Sequence, residues 1–264
     1  MSRYSFTYQQ EIGHQGQSLV PHFPGGLSGV TIGPGYDMGS RTPMEIYEDL
    51  TKAGIHPQTA QAFMDAASKT GDDAQAWVNE HRHELYITEE QQQALFDHVL
   101  VDEYERRLRS QLAQFADESD TVTHDMISWE NLSEKQKHIL FDFAYNPGLS
   151  KFPTLTEAVL REDWDTVAQS FERFSGGEPL SYRNDTFYAT FLDPNAPPIE
   201  AGSEIAEVID AIELPENESI EVVETIWSND LYSETPIIEE HPSIPHALPD
   251  THLENSLNEQ DWDV

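Results

Sequence analysis

Apolar residues recur at helical spacing over most of residues 42–174, and the elements they predict form a bundle. Thr42-Pro43-Met44-Glu45 reads as a capping box with proline at the first helical position. Ile46, Tyr47 and Leu50 follow at core spacing, and Gly54 is the stop. Pro57 opens a second helix with Ala60, Phe63, Met64 and Ala67 inward and Gly71 as its stop, and a third short segment holds Trp77 and Val78. Thr88-Glu89-Glu90-Gln91 is another capping box. It starts the longest helical pattern, which runs to about Phe115 with Leu95, Phe96, Val99, Leu100, Tyr104, Leu108 and Leu112 along one stripe. A further helix begins at Ser133, with Gln136 at the box position, and breaks at Asn146-Pro147-Gly148. Residues 155–160 and 164–174 read as two more helices, the second stopped by Gly176-Gly177, and residues 182–192 as a last turn or two.

Ahead of these helices the period changes. In residues 27–39, Val30 and Ile32 alternate with Thr31, the pattern of a short strand, and Gly33-Pro34-Gly35 breaks it. Such a hairpin buries little; it holds Thr31 and Asp37 at fixed positions on a glycine-lined surface. The expected fold class is therefore α+β: a mainly α-helical bundle with a small N-terminal β-hairpin lobe over residues 1–192. Residues 193–264 form a second region, acidic, proline-rich and largely irregular. Two apolar stripes in it, Ile205, Val208, Ile209 and Ile212, then Ile220, Val223 and Trp227, are the candidates for short docking helices.

Charge sharpens that boundary. The chain carries 14 Lys and Arg against 49 Asp and Glu, a net charge of -35, which argues against nucleic acid as a partner. No base follows Arg183: residues 184–264 carry -20, and residues 1–183 carry -15. Cysteine is absent, so disulfides and thiolate chemistry are excluded. The first residues lack an apolar signal-peptide core, and no run reaches the length of a membrane span, so neither is expected. The histidines His14, His22, His81, His83, His98, His124 and His138 show no metal-ligand spacing, and no phosphate-binding loop or nucleophile elbow occurs. Neither a metal nor another cofactor is expected.

Against this acidity the first 44 residues hold only Glu11 and Asp37, where the average density would give roughly eight acids. One reading is a paired-carboxylate site flanking Thr31; the other is an apolar, Gly-rich segment in which Asp37 caps a turn. The residues Ser28-Gly-Val-Thr-Ile-Gly-Pro-Gly-Tyr-Asp-Met-Gly39, downstream of Glu11, resemble the hairpin of the phage-type lysozymes, closest to their pesticin-like branch of bacterial toxins and effectors. Tyr145-Asn146-Pro147-Gly148 and Trp164 extend the resemblance in outline over residues 1–192. The family usually has Gly directly after the catalytic Glu, where this chain has Ile12 before Gly13.

The resemblance implies a lysozyme-like domain acting as a muramidase on peptidoglycan, cleaving the β-1,4 bond between N-acetylmuramic acid and N-acetylglucosamine. It assigns Glu11 as general acid, with Thr31 and Asp37 positioning and activating the attacking water. Tyr36 is then expected to line the sugar groove and Asn146 to bond an acetamido group. Inversion requires one protonated and one ionised carboxyl about 6.5–9.5 Å apart. Glu11 on an apolar first helix is the expected acid, and Asp37 in a polar loop the ionised partner. The context expected is an antibacterial effector or lysis enzyme, made in the cytoplasm and acting at the cell wall or periplasm after delivery, with an immunity or delivery protein as partner. Oligomeric state stays open. The alternatives are a glycosidase for chitin or chitosan, and an inactive lysozyme-fold interaction module working through its acidic tail.

Overall fold

The computed structural model describes residues 2–12 and 18–199. The chain divides into two compact units, Met1–Ser233 and Glu234–Val264, and every described residue lies in the first. His14, Gly13 and both apolar stripes of the C-terminal region fall outside the described residues.

The described part is mostly helical with two small antiparallel hairpins. Helix α1 (Ser5–Glu11) buries Phe6 against Phe187 and Phe191, whose rings meet it edge-on at 6.0 and 4.9 Å. The first hairpin pairs β1 (Thr31–Ile32) with β2 (Tyr36–Asp37), Thr31 opposite Asp37 and Ile32 opposite Tyr36. Gly33 (φ 62°) and Gly35 (φ 102°) take the left-handed angles that this tight reversal demands. The strand is not polar on one face as its alternation suggests. Thr31 is buried along with Val30 and Ile32, and the backbone of His22 pairs with it along the opposite edge through two bonds of 2.9 Å.

Helices α2 (Pro43–Lys52), α3 (Pro57–Phe63) and α4 (Gly71–His81) follow the hairpin. All three capping boxes read from the sequence form: Thr42 with Glu45, Thr88 with Gln91, and Ser133 with Gln136. Each satisfies two otherwise orphaned backbone N–H groups, at roughly 1 kcal/mol per cap. Gly71 differs from expectation. A turn of 3-10 helix at Met64–Ala66 closes α3, and Gly71 (φ 57°) is the first residue of α4.

The central helix runs without a break from Glu89 to Glu118, as α5 (Glu89–Leu95), a π turn (Phe96–Leu100) and α6 (Val101–Glu118). Within the turn Phe96, Val99 and Leu100 are buried, as is Val101 after it, while His98 is exposed. Against it packs α7 (Glu134–Tyr145), through a cluster in which Phe141 stacks on Tyr4 at 3.7 Å and Tyr145 stacks on Tyr104 at 4.1 Å. Helices α8 (Pro153–Leu160) and α9 (Trp164–Ser170) pair beyond it.

The segment expected to finish a helix and stop at Gly176-Gly177 instead turns back as a second hairpin, β3 (Phe174–Ser175) with β4 (Glu178–Pro179). Two consecutive glycines at φ 57° and 89° are the chemistry of a two-residue hairpin turn as much as of a helix stop. The last turn or two is a helix, α10 (Ser181–Phe187), continued by a π turn to Leu192. Among the described residues no helix is long and apolar enough to cross a membrane.

Candidate active site

Asp37 and Thr31 face each other across the first hairpin, and both are tied to Gly29. The Gly29 amide donates to the two carboxylate oxygens of Asp37 at 3.2 and 3.0 Å, and the Gly39 amide donates to Oδ1 at 2.6 Å. Thr31 Oγ1 donates to the Gly29 carbonyl at 3.3 Å. Glycine is compulsory at both flanks. A Cβ at Gly29 would lie 2.2 Å from the Gly39 nitrogen and 2.3 Å from Asp37 Oδ1, and one at Gly39 would lie 2.9 Å from the Gly29 Cα. Asp37 accepts at both oxygens, which suits a carboxylate. It therefore does cap a turn, as the plain reading of the composition had it, while its side chain stays half-exposed.

Glu11 ends α1 and is 2 % exposed. Its surroundings are cationic, where an apolar setting was expected: Arg183 Nη1 donates to Oε1 at 2.7 Å, and Asn146 Nδ2 approaches the same oxygen at 3.5 Å. Among the described residues no group bonds Oε2. Arg183 is shared. Its Nη2 donates to Asp142 Oδ1 at 2.7 Å, Thr7 Oγ1 donates to that oxygen at 3.1 Å, and Arg173 Nη2 donates to Asp142 Oδ2. The Arg173 guanidinium carbon lies over the Phe143 ring, 3.6 Å from its centroid, and the Arg173 backbone is clamped by Asn184 at 3.0 Å in both directions.

Two carboxylates and two guanidiniums are thus enclosed together with no net charge. Burial alone would raise the Asp142 carboxyl, but the two guanidiniums outweigh it and hold it below its ordinary value. Burial lowers Arg173 to about 10, and Arg183 nearby adds to the effect. For Arg183 burial is outweighed by Asp142 and Glu11, which raise it above the usual guanidinium value. Both arginines are charged at neutral pH.

One side chain joins the two halves. Tyr145, the last residue of α7, donates its hydroxyl to the Pro34 carbonyl at the tip of the first hairpin, and the next residue is Asn146 at Glu11. Burial raises the Tyr145 phenol well above its ordinary value, so it remains a donor. The structure thus places Thr31 with Asp37, and Glu11 with Asn146. Tyr36 stands apart from both pairs. It is fully buried under the Arg41 guanidinium, 4.2 Å from the ring centroid, with its hydroxyl donated to Asp49 at 2.8 Å.

Sequence reasoning missed Asp142, Arg173 and Arg183. The available signal was the charge break: Arg173 and Arg183 are the last two bases before a stretch with none. The chain has no match among curated proteins. A family match covers residues 4–172, which takes in Glu11, the first hairpin, Asp142 and Asn146 and ends one residue short of Arg173. Since that match covers more than half of its length, the chain belongs to the family described as domain of unknown function (DUF8812).

Proposed function

We propose that this protein is a muramidase that cleaves the β-1,4 glycosidic bond of peptidoglycan with inversion, through a lysozyme-like catalytic domain. The observation that carries the reading is the joint support of the two carboxylates. Glu11 sits against Arg183 and Asn146, and Tyr145 ties the adjoining end of α7 to the hairpin bearing Asp37 and Thr31.

In this mechanism Glu11 first takes up a proton from solvent and then delivers it to the leaving glycosidic oxygen. Taking up that proton weakens its hold on Arg183, but Asp142 retains the guanidinium through Nη2, so the arginine keeps its place. Asp37, fixed by the Gly29 and Gly39 amides, accepts a proton from the attacking water, and the Thr31 hydroxyl orients that water. Asn146 is a donor beside the acid, suited to an acetamido oxygen. The context that fits is antibacterial: an acidic enzyme gains no electrostatic capture by an anionic wall, and delivery directly to its substrate removes the need for it.

Glu11→Gln and Asp37→Asn are each expected to cut digestion of purified sacculi by at least about a hundredfold. Asp37→Asn should leave the thermal transition in place, whereas Glu11→Gln removes one of the four buried charges and should lower it. Full activity in both variants rejects the assignment. A second reading, an inactive interaction module of the same fold, draws on the near-complete burial of Glu11 in an ion pair. It predicts binding of sacculi without release of reducing ends.

A further inference from the structure

An open cleft runs beside the first hairpin, between α2 and the first turns of α6. Four cations, Arg41, Lys52, Arg106 and Arg107, share its lining with four carboxylates, so it is neutral within a strongly acidic chain. It adjoins the candidate site directly: Arg41 donates from Nε to the Asp37 carbonyl at 2.9 Å and covers the Tyr36 ring. Arg41 is used up by Glu103 at 2.6 Å and Asp49 at 3.4 Å. Arg106 is not. Its Nε donates to the Asp102 carbonyl at 3.1 Å, and the exposed guanidinium has no carboxylate partner among the described residues. Lys52, half-exposed, reaches Asp102 only at 3.7 Å. Glu45 and Asp102 stand on the same walls as exposed carboxylates: Glu45 Oε2 accepts from Thr42 and Asp102 Oδ1 from Arg3 at 3.2 Å, and the second oxygen of each is the acceptor that remains for the cleft.

We infer that this cleft binds the peptide that peptidoglycan carries on its muramic acid. Such a peptide presents free carboxylates together with amide and amine donors, which calls for cations and carboxylates interleaved in one groove. Arg106 and Lys52 take its carboxylates; Glu45 and Asp102 take its N–H groups. The inference rests on the muramidase reading and adds a subsite to it. Contact with a part of the substrate remote from the scissile bond would contribute binding energy at every second sugar.

The test compares the full chain with Lys52→Ala/Arg106→Ala on two substrates: intact sacculi, and glycan strands stripped of peptide by an amidase. Arg82→Ala/Arg161→Ala, which removes two exposed arginines elsewhere, controls for net charge. The cleft variant is expected to lose about tenfold in kcat/KM on intact sacculi, through KM, and nothing on stripped strands, as for two exposed charged contacts. No loss on sacculi, an equal loss on both substrates, or an equal loss in the control overturns the inference while wild-type activity keeps the muramidase reading. A wild type that cleaves neither polymer overturns both.

Discussion

The two halves of the candidate site are built by opposite means. The hairpin half is local: Thr31 and Asp37 take their bonds from Gly29 and Gly39, all within eleven consecutive residues, and the partners are backbone groups. The helical half is distant in sequence: Glu11 meets Arg183 across 172 positions, and Asp142 meets Arg183 across 41. One is fixed by the absence of side chains, the other by four charged side chains that must all arrive. A local site fails when its backbone is crowded, whereas an assembled one fails when its charges no longer sum to zero.

The sharpest way to break the helical half is Asp142→Asn. It leaves two buried guanidiniums with Glu11 as their one carboxylate, and is expected to cost about 3–5 kcal/mol in denaturant unfolding. Acid reaches the same half by another route. His138, on α7, has its ring edge-on to Tyr4 at 5.2 Å and its Nδ1 without a partner. Burial lowers its pKa to about 4, with Glu134 and Asp142 partly opposing and Lys137 reinforcing. The folded state resists a proton that the unfolded chain binds from about 6.5 downward. Stability should therefore fall as pH drops from 6.5 to 4, by up to about 3 kcal/mol, and His138→Gln should flatten that slope in melts across the range. A slope that survives in the variant would refute the assignment to His138. Below that range Asp142 acts in the same direction, since its depressed value makes its contribution vanish as pH falls further.

The hairpin half should ignore these perturbations and respond to crowding. Gly29→Ala is expected to cost about 1–3 kcal/mol and to abolish sacculus digestion, because the methyl overlaps both the Gly39 backbone and the Asp37 carboxylate. The smallest effect tests the join. Tyr145→Phe removes the hydroxyl bonded to Pro34 and should lower stability by about 1 kcal/mol. If the join also aligns the two halves, turnover falls more than that loss of stability explains.

The same contrast decides what the sequence discloses. The capping boxes at Thr42, Thr88 and Ser133, the turn at Gly33-Pro34-Gly35 and the Thr31 and Asp37 pair are legible because cause and effect lie within a few residues. Glu11 stood out because acids are scarce around it, whereas Asp142 is hidden among acids and on a helix face that resembles any other. Glycine is ambiguous for a physical reason. A left-handed angle serves a helix stop, a helix start or a hairpin tip equally, and so Gly71 and Gly176-Gly177 were expected to end helices that they do not end. Tyr36 shows the remaining gap: an aromatic beside a candidate carboxylate points to a groove, yet strand alternation turns it into the core beneath Arg41.

The π turn at Phe96–Leu100 has a bearing on which changes of length the family can tolerate. Before it, Gln92 bonds Ser18 at 2.6 Å and Tyr8 at 3.2 Å, and Leu95 lies under Gly33; after it, Tyr104 stacks on Tyr145. Deleting one residue between 96 and 100 would restore a regular α-helix and so look harmless locally. It would also rotate everything upstream by about 100° relative to everything downstream. Either the hairpin or α7 would then lose its contact face. The extra residue works as a phase shift between two lobes read off one rod, and a relative that lacks it would have to re-register Gln92 and Leu95 against the hairpin.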